Sequence, residues 1–314
     1  MNITAAMVKD LRELSGAGMM DCKTALNECD GNMDEAMEYL RMKGQAKAEK
    51  RAGRIAAEGL TLVAQSSDTC AAVVEVNSET DFVAKNDDFR NFVADVAKRA
   101  AATQATDVEA FLADTWTAGE TATVKDVLVE KIATIGENIN IRRFEKIEAK
   151  AGVVAAYVHG GGKIGVILEA GCDTASAPIR EALNNIAMQI AAMRPLHVST
   201  DEISEEYKAT ESKILLAQAM EENAALPEEK QKKPEIIEKM LIGRLNKQLK
   251  EICLLEQVYV KAEDGKQSVG QYVAAVEKET GIRLSIVRFV RYETGEGLEK
   301  KSEDFAAEVA KQIG

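Results

Sequence analysis

Gly59-Leu60-Thr61-Leu62-Val63 and Ala71-Ala72-Val73-Val74-Glu75-Val76, separated by the polar turn Ser66-Ser67-Asp68-Thr69, read as two β-strands of a hairpin. A helix follows, marked by Phe89, Phe92, Val93 and Val96 on one face. The same order returns further along. Val153 to Val158 and Ile164 to Glu169 are strands around the turn Gly160-Gly161-Gly162-Lys163, and a helix with Ile179, Leu183, Ile186, Ile190 and Met193 comes next. Short matches such as Val73-Val74-Glu75-Val76 beside Val166-Ile167-Leu168-Glu169 point to two related α+β halves with antiparallel sheets. Helices are also expected at 107–116 and 124–135.

Outward from this core, residues 1–55 read as a small helical module. Thr4 caps a first helix with Met7, Val8, Leu11 and Leu14 at helical spacing, and Gly16-Ala17-Gly18 breaks it. A second helix carries Cys22, Ala25, Leu26 and Cys29. After the Asp30-Gly31 turn, Asn32 and Glu35 start a third with Met33, Ala36, Met37 and Leu40. Three short helices of this size resemble the ubiquitin-associated type of bundle, whose task is gripping another protein. The next stretch holds Arg41, Lys43, Lys47, Lys50, Arg51 and Arg54 against Glu49 alone. It is either a solvated linker helix or a contact for RNA, and the lack of aromatic stacking residues favours the linker.

The second half is interrupted. Pro195, Pro227 and Pro234 bracket helical segments at about 201–224 and 235–252, the latter striped with Ile237, Met240, Leu241, Leu245 and Leu249. These suit an antiparallel hairpin with a charged tip at 226–234. A helix at about 268–279 and the alternating strand Ile282-Arg283-Leu284-Ser285-Ile286 resume the core. Beyond Gly295-Glu296-Gly297, a terminal helix places Phe305, Val309 and Ile313 on one face. The expected plan is a helical module and linker at 1–55, core halves at 56–141 and at 142–200 with 253–292, a coiled-coil hairpin at 201–252, and a C-terminal helical module at 293–314.

Composition narrows the chemistry. The formal net charge of −12 disfavours phosphate backbones as partners and favours a neutral or basic protein surface. The five cysteines are scattered without CxxC spacing, so neither zinc nor a disulfide framework is indicated. No apolar run approaches the roughly 20 residues of a membrane span, and the N-terminus lacks a signal-peptide core; a cytoplasmic protein is expected.

Enzyme signals are poor. There are two histidines, His159 and His197, and neither HExxH nor GxSxG occurs. Gly160-Gly161-Gly162-Lys163 lacks phosphate-loop spacing and lies between strands, so a hairpin turn is the better account. Three features stand out. Met19 and Met20 occupy a glycine-flanked corner, suited either to docking or to burial in the bundle. His159 precedes a glycine turn, as a structural residue or as a contact. Thr80-Asp81-Phe82-Val83 sits in a run of capping residues between strand and helix. Read by itself, that loop is better explained as a joint with Phe82 packed inward as a staple than as a projecting wedge.

The chain nevertheless closely resembles the bacterial elongation factor Ts family nearly end to end. The carrying stretches are Ile3-Thr4-Ala5, Ser15 to Lys23 with Ala25-Leu26, Glu75-Val76-Asn77 with Thr80 to Lys85, Ile135 to Arg143, Gly295-Glu296-Gly297 and Asp304 to Val309. The resemblance implies guanine-nucleotide exchange on the GTPase elongation factor Tu, with no catalytic residue, cofactor or metal in the chain itself. It implies that Thr80, Asp81, Phe82 and Val83 push into the partner and disturb its Mg²⁺ site. Arg12, Met19 and Met20 are implied as further contacts to the GTPase domain, Ile135 and Gly136 as neighbours of the wedge, and His159 as a contact on the nucleotide-domain side. Direct nucleic-acid and membrane contacts are not implied, and a homodimer through the 201–252 hairpin stays open. The rival reading is an RNA-associated translation protein acting through 41–54.

Overall fold

A computed structural model describes residues 2–119 and 121–299. The terminal helix expected around Phe305, Val309 and Ile313 lies outside these residues.

Three helices open the chain: α1 (Ala5–Ser15), α2 (Met19–Glu28) and α3 (Met33–Arg51). Each start follows from a local signal. The Thr4 hydroxyl accepts the Met7 amide, and the Asn32 side-chain oxygen accepts the amides of Asp34 and Glu35. Gly16, at φ 65°, ends α1 in the left-handed region that glycine enters without steric cost. Val8, Leu11, Cys22, Ala25, Leu26 and Ala36 form a small shared core. Leu14, on the same expected stripe, is exposed instead. The third helix does not stop at the bundle. It runs unbroken through the basic segment, so linker and module are one element, and buried Gly44 lets it pass closely over Ala133.

Strands β1 (Glu58–Ser67), β2 (Cys70–Ser78) and β3 (Asn140–Glu148) form the first antiparallel sheet in that order. Between β2 and β3 lie α4 (Asp81–Ala84), α5 (Asp87–Ala102), α6 (Val108–Ala113) and α7 (Val124–Ile135). The second antiparallel sheet is β4 (Val153–His159), β5 (Ile164–Cys172) and β6 (Leu284–Glu293), with α8 (Ala177–Met193) and α11 (Val269–Thr280) against it. The chain is therefore α+β, with two small antiparallel sheets. The expected boundary at 141/142 falls inside β3, which pairs with β2 along its length. The sequence concealed that strand because a register shift at Glu75/Val76 interrupts the period-two pattern that would have marked it.

The two sheets pack face to face. Alternation sends Ala72, Val74 and Val76 of β2 toward α5 and α7, and Ala71 and Val73, with Ile147 of β3, toward the other sheet, where Val154 and Ile167 meet them. Every residue of β2 is buried. On β5, Gly165 permits the approach: a Cβ there would stand 2.8 Å from Thr61 Cγ2 and 2.9 Å from Val73 Cγ2.

The insertion is α9 (Glu205–Ala224) and α10 (Pro234–Ile252). Arg244 pairs with Glu222 and Gln248 with Glu211, which fixes an antiparallel hairpin; Asn223 closes its tip through two hydrogen bonds with the Lys232 backbone. The chain leaves and re-enters the core side by side. The amides of Leu196 and His197 donate to Ile252 O, and those of Leu254 and Leu255 donate back to His197 O and Val198 O.

Candidate functional site

Two capping residues shape the loop after β2. The Thr80 hydroxyl accepts the Val83 amide at 3.3 Å and starts the single turn α4. The Asn86 side-chain oxygen then accepts the amides of Asp88 and Phe89 and starts α5 as a separate helix. The backbone is thus bent twice within seven residues. Ala84 becomes the buried residue of the turn, Val83 packs partly inward, and Phe82 stands 80% exposed. The inward staple favoured by the sequence alone is not formed. Asp81 and Lys85 pair at 2.6 Å one turn apart, the Lys85 ammonium lies 5.9 Å from the Phe82 ring centroid, and that ammonium holds the Asp81 carboxyl below the usual carboxylate range.

The turn is clasped from a second loop. Gly136, at φ 90°, ends α7, and the next residue turns its carboxylate onto the first loop. Glu137 accepts the amides of Glu79 (3.0 Å) and Thr80 (3.1 Å) and the Thr80 hydroxyl (2.6 Å). Reciprocally, Glu79 Oε1 accepts the Asn138 amide at 2.6 Å and a bond from Arg54 at 3.3 Å. Ile135 packs with Val83 on the same apolar cluster. Thr80 to Val83 and Ile135-Gly136 therefore come together in space.

The other candidates stand elsewhere. Met19 and Met20 open α2 at the glycine corner, 58% and 71% exposed rather than buried in the bundle, and Arg12 and Leu14 are exposed too. His159 ends β4, exposed, with Nδ1 3.0 Å from the Tyr157 hydroxyl. Its glycine turn is strapped to the first sheet, since Gly162 O accepts from the Thr61 amide of β1; it also accepts from the Thr294 hydroxyl just after β6.

Most cations of the basic segment have partners within the chain. Arg41 pairs with Asp126, Lys43 and Lys47 with Asp21, and Arg54 with Glu79, while Arg51 donates to Ile132 O at the end of α7. These pairings offset part of the segment's positive charge within the chain. Among the described residues no group of three or more His, Cys, Asp or Glu is placed to hold a metal, and no helix is long and apolar enough to cross a membrane.

Sequence reasoning missed Glu79, Glu137, Asn138 and Arg54 as parts of this site. Glu137 and Asn138 lie within the family-like stretch Ile135 to Arg143, but nothing local indicates that a partner waits 57 to 59 positions away.

What the fold and loop define is an α+β protein that presents an exposed phenylalanine on a braced turn. The family model described as Elongation factor TS matches residues 79–296. The chain is 50% identical over 313 residues to elongation factor Ts of Clostridioides difficile (strain 630), and 48% identical over 313 to that of Clostridium novyi (strain NT). It is 46% identical over 314 residues to that of Clostridium botulinum (strain Eklund 17B / Type B); in all three, 99% of each chain is covered. The chain belongs to the elongation factor Ts family of translation elongation factors.

Proposed function

We propose that this chain is the guanine-nucleotide exchange factor of its translation system, binding elongation factor Tu·GDP and promoting GDP release without catalysing a reaction of its own. The observation that carries this reading is Phe82, 80% exposed on a turn whose backbone is held by hydrogen bonds at both ends. A large apolar side chain kept in water by a rigid support loses less freedom on docking than a mobile one. Pressed into the GTPase beside its Mg²⁺, it would disturb the metal that bridges nucleotide phosphates to the protein and leave phosphate charge poorly compensated. Linkage then makes the factor and GDP weaken each other's binding equally.

In this reading α1–α3 are the ubiquitin-associated-like gripping module, with Arg12, Met19 and Met20 as contacts. His159 touches the nucleotide-domain side, and Ile135 with Gly136 lies beside the wedge. The hairpin α9–α10 is the coiled-coil insertion. Its exposed Ile214, Met220, Ile236 and Ile242 make it the candidate surface for self-association, which light scattering of the free protein would detect as a doubled mass.

Phe82→Ala tests the core of the proposal. It should slow stimulated release of a fluorescent GDP analogue from elongation factor Tu by at least about tenfold, a coupling loss of about 1.4 kcal/mol, and leave the melting temperature within a degree or two. Release at the wild-type rate would sink the wedge. A loss of roughly 3–5 kcal/mol in stability would instead mark Phe82 as core.

A further inference from the structure

The four-residue helix carrying Phe82 is too short to fix its own orientation, because a single turn orders several dihedrals for little hydrogen bonding. Its direction comes from outside. The Glu137 carboxylate takes three hydrogen bonds from the entry of the turn, at 3.0, 3.1 and 2.6 Å, two of them from successive backbone amides. Bonds to an ionised acceptor are the stronger kind, and a pair of backbone amides fixes a peptide plane rather than a side chain. The Thr80 hydroxyl completes the arrangement. Because its proton goes to Glu137, its lone pair is free for the Val83 amide, so one carboxylate sets both the entry peptides and the cap.

The return contacts make the loop of Glu137 equally firm. The Asn138 amide donates to Glu79 Oε1 at 2.6 Å, and its side-chain amide donates to Arg54 O at 2.8 Å, in a residue only 8% exposed. Glu137 therefore acts from a rigid base rather than as a free surface side chain.

We infer that Glu137 is a positioning residue for nucleotide exchange, holding the turn so that Phe82 projects in the orientation the partner GTPase meets. This rests on the reading of Thr80 to Val83 as the inserted element, and deepens it. Glu137 need not touch the partner. Its effect is on how far Phe82 is pre-ordered, hence on the rate within the complex and not on docking through the other surfaces.

The full chain carrying Glu137→Ala, Glu137→Gln, Phe82→Ala or Phe82→Ala with Glu137→Ala is titrated into partner GTPase loaded with a fluorescent GDP analogue. Glu137→Ala should lower the maximal release rate about tenfold while the half-saturating concentration stays within about twofold, the split expected when an interaction is used only in the reactive complex. Glu137→Gln, whose carbonyl oxygen still accepts, should fall between the two. In the Phe82→Ala background, Glu137→Ala should add nothing, since residues acting through one another are not additive.

Glu137→Ala at the wild-type rate beside a slow Phe82→Ala overturns the positioning role and leaves the wedge standing. Phe82→Ala at the wild-type rate removes the wedge and this inference with it. An equal loss from Glu137→Ala in both backgrounds places its action elsewhere and also overturns the inference. Should Glu137→Ala fail to fold by circular dichroism, Glu137→Gln decides alone: a maximal rate unchanged from wild type overturns the claim, and a fall at constant half-saturation supports it.

Discussion

Glu75 is fully buried in the central strand of the first sheet, yet it is an acid. Its oxygens accept from Arg142 Nη1 at 3.0 and 3.2 Å, Arg143 Nε at 2.5 Å, Asn77 Nδ2 at 3.1 Å and the Gly295 amide at 2.8 Å. Such a charge survives burial only because its lone pairs are met. The network joins β2, β3 and the chain just after β6, and Arg143 also stacks over the Tyr292 ring at 4.1 Å. Glu75→Gln should lower stability by about 3 kcal/mol, seen as a reduced urea midpoint, because Arg142 then loses its carboxylate partner and Arg143 keeps only Glu296, in a partly buried site. An unchanged midpoint would mean that both arginines resolvate without cost. At this scale the sequence was half legible. Glu75, Arg142-Arg143 and Gly295-Glu296-Gly297 were each noticed as family-like stretches, but no local rule joins positions 67 and 220 residues apart. Phe82 is legible as an oddity, but local signals alone point it inward, whereas it stands exposed. The caps at Thr80 and Asn86 can be read locally, whereas the Glu137 contact that clasps the turn's entry comes from 57 positions away.

Among the elements, α3 joins two parts of the molecule. It belongs to the N-terminal core at one end and reaches the end of α7 at the other, where Arg51 donates to Ile132 O, and it is tied on the way to α2 and α7. Asp21 and Asp126 are the acidic halves of these ties. The Lys47 hydrogen bond holds the Asp21 carboxyl below its ordinary range, and the Thr123 backbone amide, aided by Arg41, does the same for Asp126. A depressed carboxyl stabilises the fold above its unfolded pKa, about 4, and the benefit is lost as pH falls through the folded value. Both side chains are about one third exposed, so solvent screens part of the effect. Urea midpoints of the Asp21→Asn, Asp126→Asn double variant should therefore fall less steeply between pH 5 and about pH 3 than those of the wild type. Parallel profiles would show that the acid sensitivity lies elsewhere. Helical periodicity announced both ends of α3, but the change from apolar stripe to basic run disguised their continuity. Only the partners on α2 and α7 explain why those cations are there.

For the whole molecule, the recurring hairpin-then-helix pattern is the most legible feature, because a short β-branched apolar run bounded by turn residues marks Ala71–Val76 and a period-3.6 stripe marks Ile179–Met193. The third strand of the first sheet is not, and neither is the face-to-face packing of the sheets, which depends on tolerances such as that at Gly165. The hairpin α9–α10 stands on paired crossings at Leu196–Val198 and Ile252–Leu255. Replacing 206–250 by a short glycine-serine link should leave the melting temperature of the remaining core within a few degrees. The rate of partner GDP release should change by less than about threefold, under 1 kcal/mol. A core that fails to fold would show that the hairpin contributes more than its clustered base of Ile203, Leu249 and Cys253.

The burial of β2 on both faces, from Cys70 to Ser78, has one more consequence. Its amides lie between two strands, under helices on one side and a second sheet on the other, so no local opening brings them to water. In deuterated buffer they should be the last to exchange, with protection equal to the free energy of global unfolding, while amides of α9 and α10 exchange through smaller fluctuations. The exchange rate along Ala71–Val76 thus becomes an internal gauge of stability, readable in the free factor and again when it is bound to its GTPase.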